Sequence, residues 1–288
     1  SSSSAASDVY KRQVYDYIKG VFSGDGKIFK LSNTENINAR WRGRAFAELD
    51  TEEKRRIRNT TIHAIIFEQK HPRNDTGMFQ IFERINIGGR TLKAQEIRNC
   101  VYQGKCNDLL FELNKRNSWR RILGLDVEDS RMADLELILR YFAMRDLHIR
   151  NEGQLKQINL AKYLNQYMSD KTRTTEEDIL NMKQDFIQMI DKVFELFGKT
   201  AFKNLKKESE NFASRINPAI FDAISVATSY AIKTGVEFTQ EDYLEKYKSL
   251  LKNEEFLRAS SSRTTNIDNI KIRIQLAAKS LYGVTYEW

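Results

Sequence analysis

The residues best suited to chemistry sit in one short run, Phe79 to Asn99, which holds Glu83, Arg84, Asn86, Arg90, Glu96, Arg98 and Asn99. An arginine there could hold phosphate with its planar fork, and an asparagine could hydrogen-bond a base or ribose. Glu83 and Glu96 could form a carboxylate pair, but both lie beside arginines, so charge pairing that ties the run together is the more economical role. For Arg84, Asn86 and Arg98, lining a cleft and fixing a turn are both open. Gly88-Gly89 supplies the positive-φ backbone of a sharp turn. No Gly-Lys-Ser/Thr follows a strand, so this turn is no P-loop. Among His63, His71 and His148, no two share a metal-ligand spacing, and no metal site is expected.

The elements that position these groups follow from periodicity. Met78, Phe79, Ile81, Phe82 and Ile85 recur at helical spacing, and Leu92 and Ile97 restart the period after the glycines. The run therefore reads as two short amphipathic helices joined by a tight turn, with Asp75 or Thr76 as cap of the first. Phe82, Arg84, Ile85, Asn86, Gly88, Gly89, Leu92, Gln95, Glu96, Ile97, Arg98 and Asn99 together resemble the signature that closes the N-terminal domain of GmrSD-type restriction endonucleases, a ParB/sulfiredoxin-like family. Lys93 departs from the small or polar residue more usual at its position.

That resemblance implies a bacterial protein of phage defence that couples nucleotide hydrolysis to DNA recognition or cleavage. It implies an NTP with a divalent metal as cofactor, DNA as partner, and Arg84, Asn86, Gly88, Gly89, Glu96, Arg98 and Asn99 as residues of the nucleotide or DNA cleft. Many relatives carry a nuclease domain with a His-Asn-His type centre, so a separate nuclease partner is a further implication. The family's Asp-Gly-Gln-Gln-Arg motif, to which nucleotide binding and phosphodiester chemistry are assigned, occurs nowhere in these 288 residues. Val14 to Phe22 resembles the helix that follows this motif, whereas Ser3 to Gln13 resembles the translation of a sequencing adapter. The expectation is a scar over residues 1–13, authentic sequence from near Val14, and a fragment inactive as it stands. The competing expectation is a non-enzymatic DNA- or protein-binding regulatory module whose polar turn is purely structural.

Composition narrows the field only modestly. Hydrophobic residues make up 41% and charged residues 30%, which is ordinary for a globular chain with an ample core. Cys100 and Cys106 have no zinc spacing and read as reduced thiols of a cytoplasmic protein, and no apolar run suggests a membrane span. The net charge of +8 favours a polyanionic partner. Arg40, Arg42 and Arg44 surround Trp41, with Lys54, Arg55, Arg56 and Arg58 following; Lys115, Arg116, Arg120 and Arg121 surround Trp119; Lys203, Lys206 and Lys207 form a third group. Interleaved with Trp, such cations could grip phosphates and stack bases, although solvated faces around core tryptophans account for each group singly.

The predicted fold is mainly α: a partial ParB-like α+β domain over residues 14–104, then a helical domain over 105–288. In the first part, Lys27–Leu31 and Thr60–Gln69 read as strands and Asp50 with Glu53 opens a helix. Beyond Asn107 strand signals nearly vanish. Helices are expected over Asn107–Arg116, Ser130–Arg145, Ile158–Met168, from a Thr174/Glu177 capping box to Phe197, Ala219–Ile232 behind Asn217-Pro218, Thr239–Leu251 and Thr264–Leu281.

Overall fold

The computed structural model describes residues 13–22, 26–35, 37–61, 77–85, 92–125, 128–147, 155–171, 174–206, 209–239 and 242–288. It is mainly helical and divides into two compact units, Ser1–Lys70 and His71–Trp288. The expected boundary near residue 104 lies inside the second unit, because the helices of the Phe79–Asn99 run pack with the helical body.

In the first unit, helix α1 spans residues 13–19. Lys27–Leu31 is not a continuous strand; Ile28 and Lys30 make isolated antiparallel bridges to Val21 and Ala45. Helix α2 (Thr51–Arg58) begins as expected: Asp50 accepts from the Glu53 amide at 2.7 Å, and Glu53 reaches back to the Asp50 amide at 3.0 Å. Tyr17, Phe46 and Leu49 form a small core, with Tyr17 edge-on to Phe29 and Phe46. The expected strand over Thr60–Gln69 falls, beyond Thr61, outside the described residues, as do His63, His71 and His148.

The second unit holds α3 (Gly77–Ile85), α4 (Ala94–Val101), α5 (Lys105–Asn114), α6 (Asn117–Leu123), α7 (Ala133–Arg145), α8 (Leu160–Lys171) and α9 (Glu176–Phe197). A short antiparallel hairpin follows, β1 (Lys203–Leu205) with β2 (Phe212–Ile216), then α10 (Pro218–Lys233), α11 (Tyr243–Lys252), α12 (Glu254–Ser261) and α13 (Ile267–Tyr282). Helix α10 is the centre. Asn217 caps it, accepting from the Ala219 amide at 2.9 Å, and Pro218 occupies the first turn where its missing N–H costs nothing. Its apolar residues on all sides are covered by α7, α9 and α13.

Three local expectations are corrected here. The cap of α9 is Thr175 with Asp178, one residue beyond Thr174/Glu177, because the Thr175 hydroxyl accepts from the Asp178 amide at 3.1 Å. The β1–β2 hairpin was not expected beyond Asn107; its strands are too short to signal locally and form because Leu205, Phe212 and Ile216 pack on the helical core. Helix α12 was also not anticipated. Asn253 caps it through the Phe256 amide at 2.9 Å, and Phe256 is its buried anchor.

Candidate functional site

Helix α4 carries the second half of the Phe79–Asn99 run, and every polar residue on it that the sequence singled out has a partner. Glu96 accepts from the Lys93 amide at 2.6 Å, closing the first turn, and its carboxylate also lies 3.1 Å from Arg131. Arg98 is only 1% exposed. Its Nε donates to Asn165 of α8 at 2.7 Å, and one terminal nitrogen donates to Gln95 at 3.0 Å and to Glu136 of α7 at 2.8 Å. The guanidinium also lies 5.9 Å from the centre of the Phe79 ring on α3. Asn99 accepts from Asn107 of α5 at 2.7 Å. Burial draws the Arg98 guanidinium below its ordinary pKa, and Glu136 works against that.

Residues of α4 thus meet α3, α5, α7 and α8 through buried and part-buried contacts, a latch that seats α4 on the body. Arg98 and Asn99 are buried and Glu96 is half-buried, each with a partner of its own among the described residues. Arg84 is exposed at the end of α3. Asn86, Gly88 and Gly89 lie outside the described residues, as does the side chain of Glu83.

The basic groups divide between work inside the protein and open surface. In the first unit Arg40 pairs with Asp50 at 2.9 Å and Glu53 at 2.6 Å, and the Trp41 indole donates to Glu53 at 2.7 Å. Arg42 and Lys54 donate to the carbonyls of Ile37 and Ala47, and Arg55 and Arg56 both face Glu52. Arg44 is exposed. In the second unit Trp119 is fully buried and donates to Asn114, which bonds Asp134, which in turn holds Arg120 at 2.8 Å. Trp119 therefore cannot stack on a base; its flat ring serves the core against Phe186 and Phe221. Arg116 is held by Asp191, Arg121 lies 4.4 Å from the Phe194 ring centre, and Lys115 is exposed.

A third polar knot escaped the sequence reading. Arg140 of α7 forks onto Asp222 of α10 through bonds of 2.8 and 2.7 Å. Arg273 of α13 adds a third bond to the same carboxylate at 3.0 Å and donates to the Thr264 carbonyl at 2.7 Å. Burial works against charge on Arg140, but Asp222 more than offsets it, so its pKa rises; Arg273 keeps a lowered pKa, with burial as the main cause. The single carboxylate satisfies Arg140 and leaves Arg273 as the excess cation. One sequence signal was present: Asp222 and Arg273 each interrupt an otherwise apolar helical face, between Phe221 and Ala223 and beside Ile274.

Among the described residues, no group of three or more His, Cys, Asp or Glu side chains is placed to hold a metal ion. Cys100 and Cys106 are buried and form no disulfide, and burial pushes the Cys106 thiol up to about 11. Iodoacetamide at pH 8 is therefore expected to spare Cys106 in the native protein and modify it after denaturation, as peptide mass mapping would show. Rapid native labelling would mean that α5 opens readily. Compared with protein-family models, curated proteins and solved structures, the chain matches none of them, so its functional reading rests on its own residues.

Proposed function

We propose that this chain is part of a GmrSD-type restriction protein that couples nucleotide hydrolysis to DNA recognition or cleavage, with the helical unit acting as the seat of the Phe79–Asn99 hairpin. The observation that supports this reading is the α4 latch. Gln95, Glu96, Arg98 and Asn99 belong to the signature by type and spacing, and each has a distinct bonded role on α3, α5, α7 or α8, or on α4 itself. A rigid seat of this kind is what a phosphate- or base-holding segment needs, since positioning to within about 0.5 Å depends on the supporting shell. Arg84, Asn86, Gly88 and Gly89, which precede the latch in sequence, are then the residues that meet nucleotide or DNA.

The test is ATP and GTP turnover, with and without duplex DNA, by the protein expressed from its complete gene. Arg84→Ala and Asn86→Ala are each expected to lower turnover about tenfold or more, the effect of removing one charge-assisted contact. Turnover that both variants leave unchanged would count against this assignment. DNA binding with no turnover at all would favour the non-enzymatic binding module instead.

A further inference from the structure

From the structure we infer that the β1–β2 hairpin and the α6–α9 edge beside it form a second contact surface, one that takes the phosphate backbone of duplex DNA. This rests on the reading of the chain as a DNA-directed protein and adds a face that the Phe79–Asn99 run does not include. Two basic groups far apart in sequence converge here. Helix α6 packs against the turn Gly198–Thr200 that ends α9, and this turn leads directly into β1. The Arg121 guanidinium of α6 lies 4.4 Å from the centre of the Phe194 ring, which precedes Lys199 on the chain. Lys199 is close enough to Lys203 that its charge adds to burial in lowering the Lys203 pKa.

On the hairpin, Lys203 pairs across the sheet with Ile216, and Arg215, next to Ile216, stands on the outer face of the neighbouring strand. Lys206 follows where its amide meets the Asn211 carbonyl. Lys199, Lys206 and Arg215 are exposed, and Lys203 is half-buried. Acids nearby are committed elsewhere: Asp191 to Arg116 and Ser118, Glu195 to Lys192, and Glu210 to Lys252 and Lys248. No carboxylate among the described residues pairs with Arg121, Lys199, Lys203, Lys206 or Arg215.

Holding two ammonium groups together, one of them partly desolvated, is unfavourable until an anion joins them. Arg40, Arg98, Arg120 and Arg140 each meet a carboxylate of the protein, whereas none of the described carboxylates meets this group of five cations, which marks it as a place where the anion comes from outside. The cations run along a strand and a helix edge with no exposed aromatic ring among them, which suits a repeating phosphate backbone read without base specificity. Arg121, exposed and over the Phe194 ring, brings a planar guanidinium whose donors suit phosphate.

The experiment is fluorescence anisotropy with a labelled duplex of about twenty base pairs, titrated from low to moderate salt. The variant is Lys199→Glu/Lys206→Glu/Arg215→Glu, all at exposed positions, and the control is Lys162→Glu/Lys279→Glu, exposed on α8 and α13. The triple variant is expected to bind at least ~10-fold more weakly and to reduce the slope of log K against log salt by about 2–3, since each lost phosphate contact contributes ~0.9. The control is expected to bind like the wild type. Circular dichroism and thermal midpoints verify that both variants fold; should the triple variant fail to fold, the single Lys206→Gln and Arg215→Gln variants take its place, each with a slope change of about 0.9 expected.

Wild-type duplex binding that the folded triple variant leaves unchanged overturns this surface while leaving the DNA-directed reading intact. Absence of wild-type duplex binding at low salt, even with retention on heparin or on an acidic protein, overturns the surface and weighs against that reading as well. A slope reduction in a protein that shows no nucleotide turnover supports the surface and removes only the enzymatic part of the assignment.

Discussion

Asp222→Ala is expected to destabilise the helical unit by about 3–5 kcal/mol, a large share of the roughly 5–15 kcal/mol that holds an ordinary domain folded. The carboxylate is fully buried and accepts three hydrogen bonds from two arginines, Arg140 and Arg273, which are themselves buried. Removing it leaves two guanidinium charges in the centre of three packed helices with no carboxylate bonded to either, Glu136 acting on Arg140 only at a distance. Desolvation then goes uncompensated, and that cost exceeds the loss of any single hydrogen bond.

The reverse change is expected to be milder. Arg273→Met deletes the excess cation and leaves the Arg140–Asp222 fork neutral, so its cost should fall below that of Asp222→Ala by about 2 kcal/mol, a buried Met replacing an incompletely bonded group. Urea unfolding followed by circular dichroism measures both. Equal losses would mean that the carboxylate does not bear the charge of the cluster. Replacing all three residues together, as Arg140→Met/Asp222→Leu/Arg273→Met, should recover most of the stability, because a well-packed apolar substitute often matches a buried ion cluster.

Arg98→Ala is the second large effect, and its location matters more than its size. The substitution strips partners from Asn165 and Gln95, both buried, and from Glu136, which lies near enough to solvent to rehydrate. Two orphaned buried amides at roughly 1–2 kcal/mol each, with the lost contact to Phe79, come to about 2–4 kcal/mol. Arg98→Lys should recover only part of this, since a single ammonium cannot reach three acceptors in one plane.

Hydrogen exchange separates this loss from a general weakening. Protection is expected to fall in α4, residues 94–101, and to persist in α10, because the latch faces α4 and the centre of the body does not depend on it. Uniform loss of protection across both helices would show that α4 is part of the folding core and not a seated element. If the Phe79–Asn99 hairpin is where nucleotide or DNA binds, Arg98→Lys should also weaken that binding without touching the ligand, and ligand binding should in turn restore protection to α4.

Much of the helical architecture was legible in the residues, and the physical reason is locality. Asp50 with Glu53 and Asn217 with Pro218 announce helix starts because cap and first turn lie within three residues of one another. The same holds for the buried face of α9, where Met182, Phe186, Ile190, Val193 and Phe197 return at helical spacing. The density of polar residues between Glu83 and Asn99 pointed to a packed network or a site, and Gln95, Arg98 and Asn99 on α4 are packed and bonded; Glu96 pairs with Arg131, outside the run that charge pairing was expected to tie together.

What the sequence alone determined, then, was the mainly helical class and most helix starts; for the polar residues around α4 it left a packed network and a site both open. Only tertiary structure decided what those polar groups meet. Arg98 finds Asn165 sixty-seven residues away, and Arg140 finds Asp222 across eighty-two. The β1–β2 hairpin exists because a helical core is there to cover Leu205 and Phe212, and the gathering of Arg121, Lys199 and Lys203 follows from the packing of α6 on the end of α9. Charge and hydrogen-bond partners are chosen by distance in space, and distance between residues remote in sequence is set only when the helices pack.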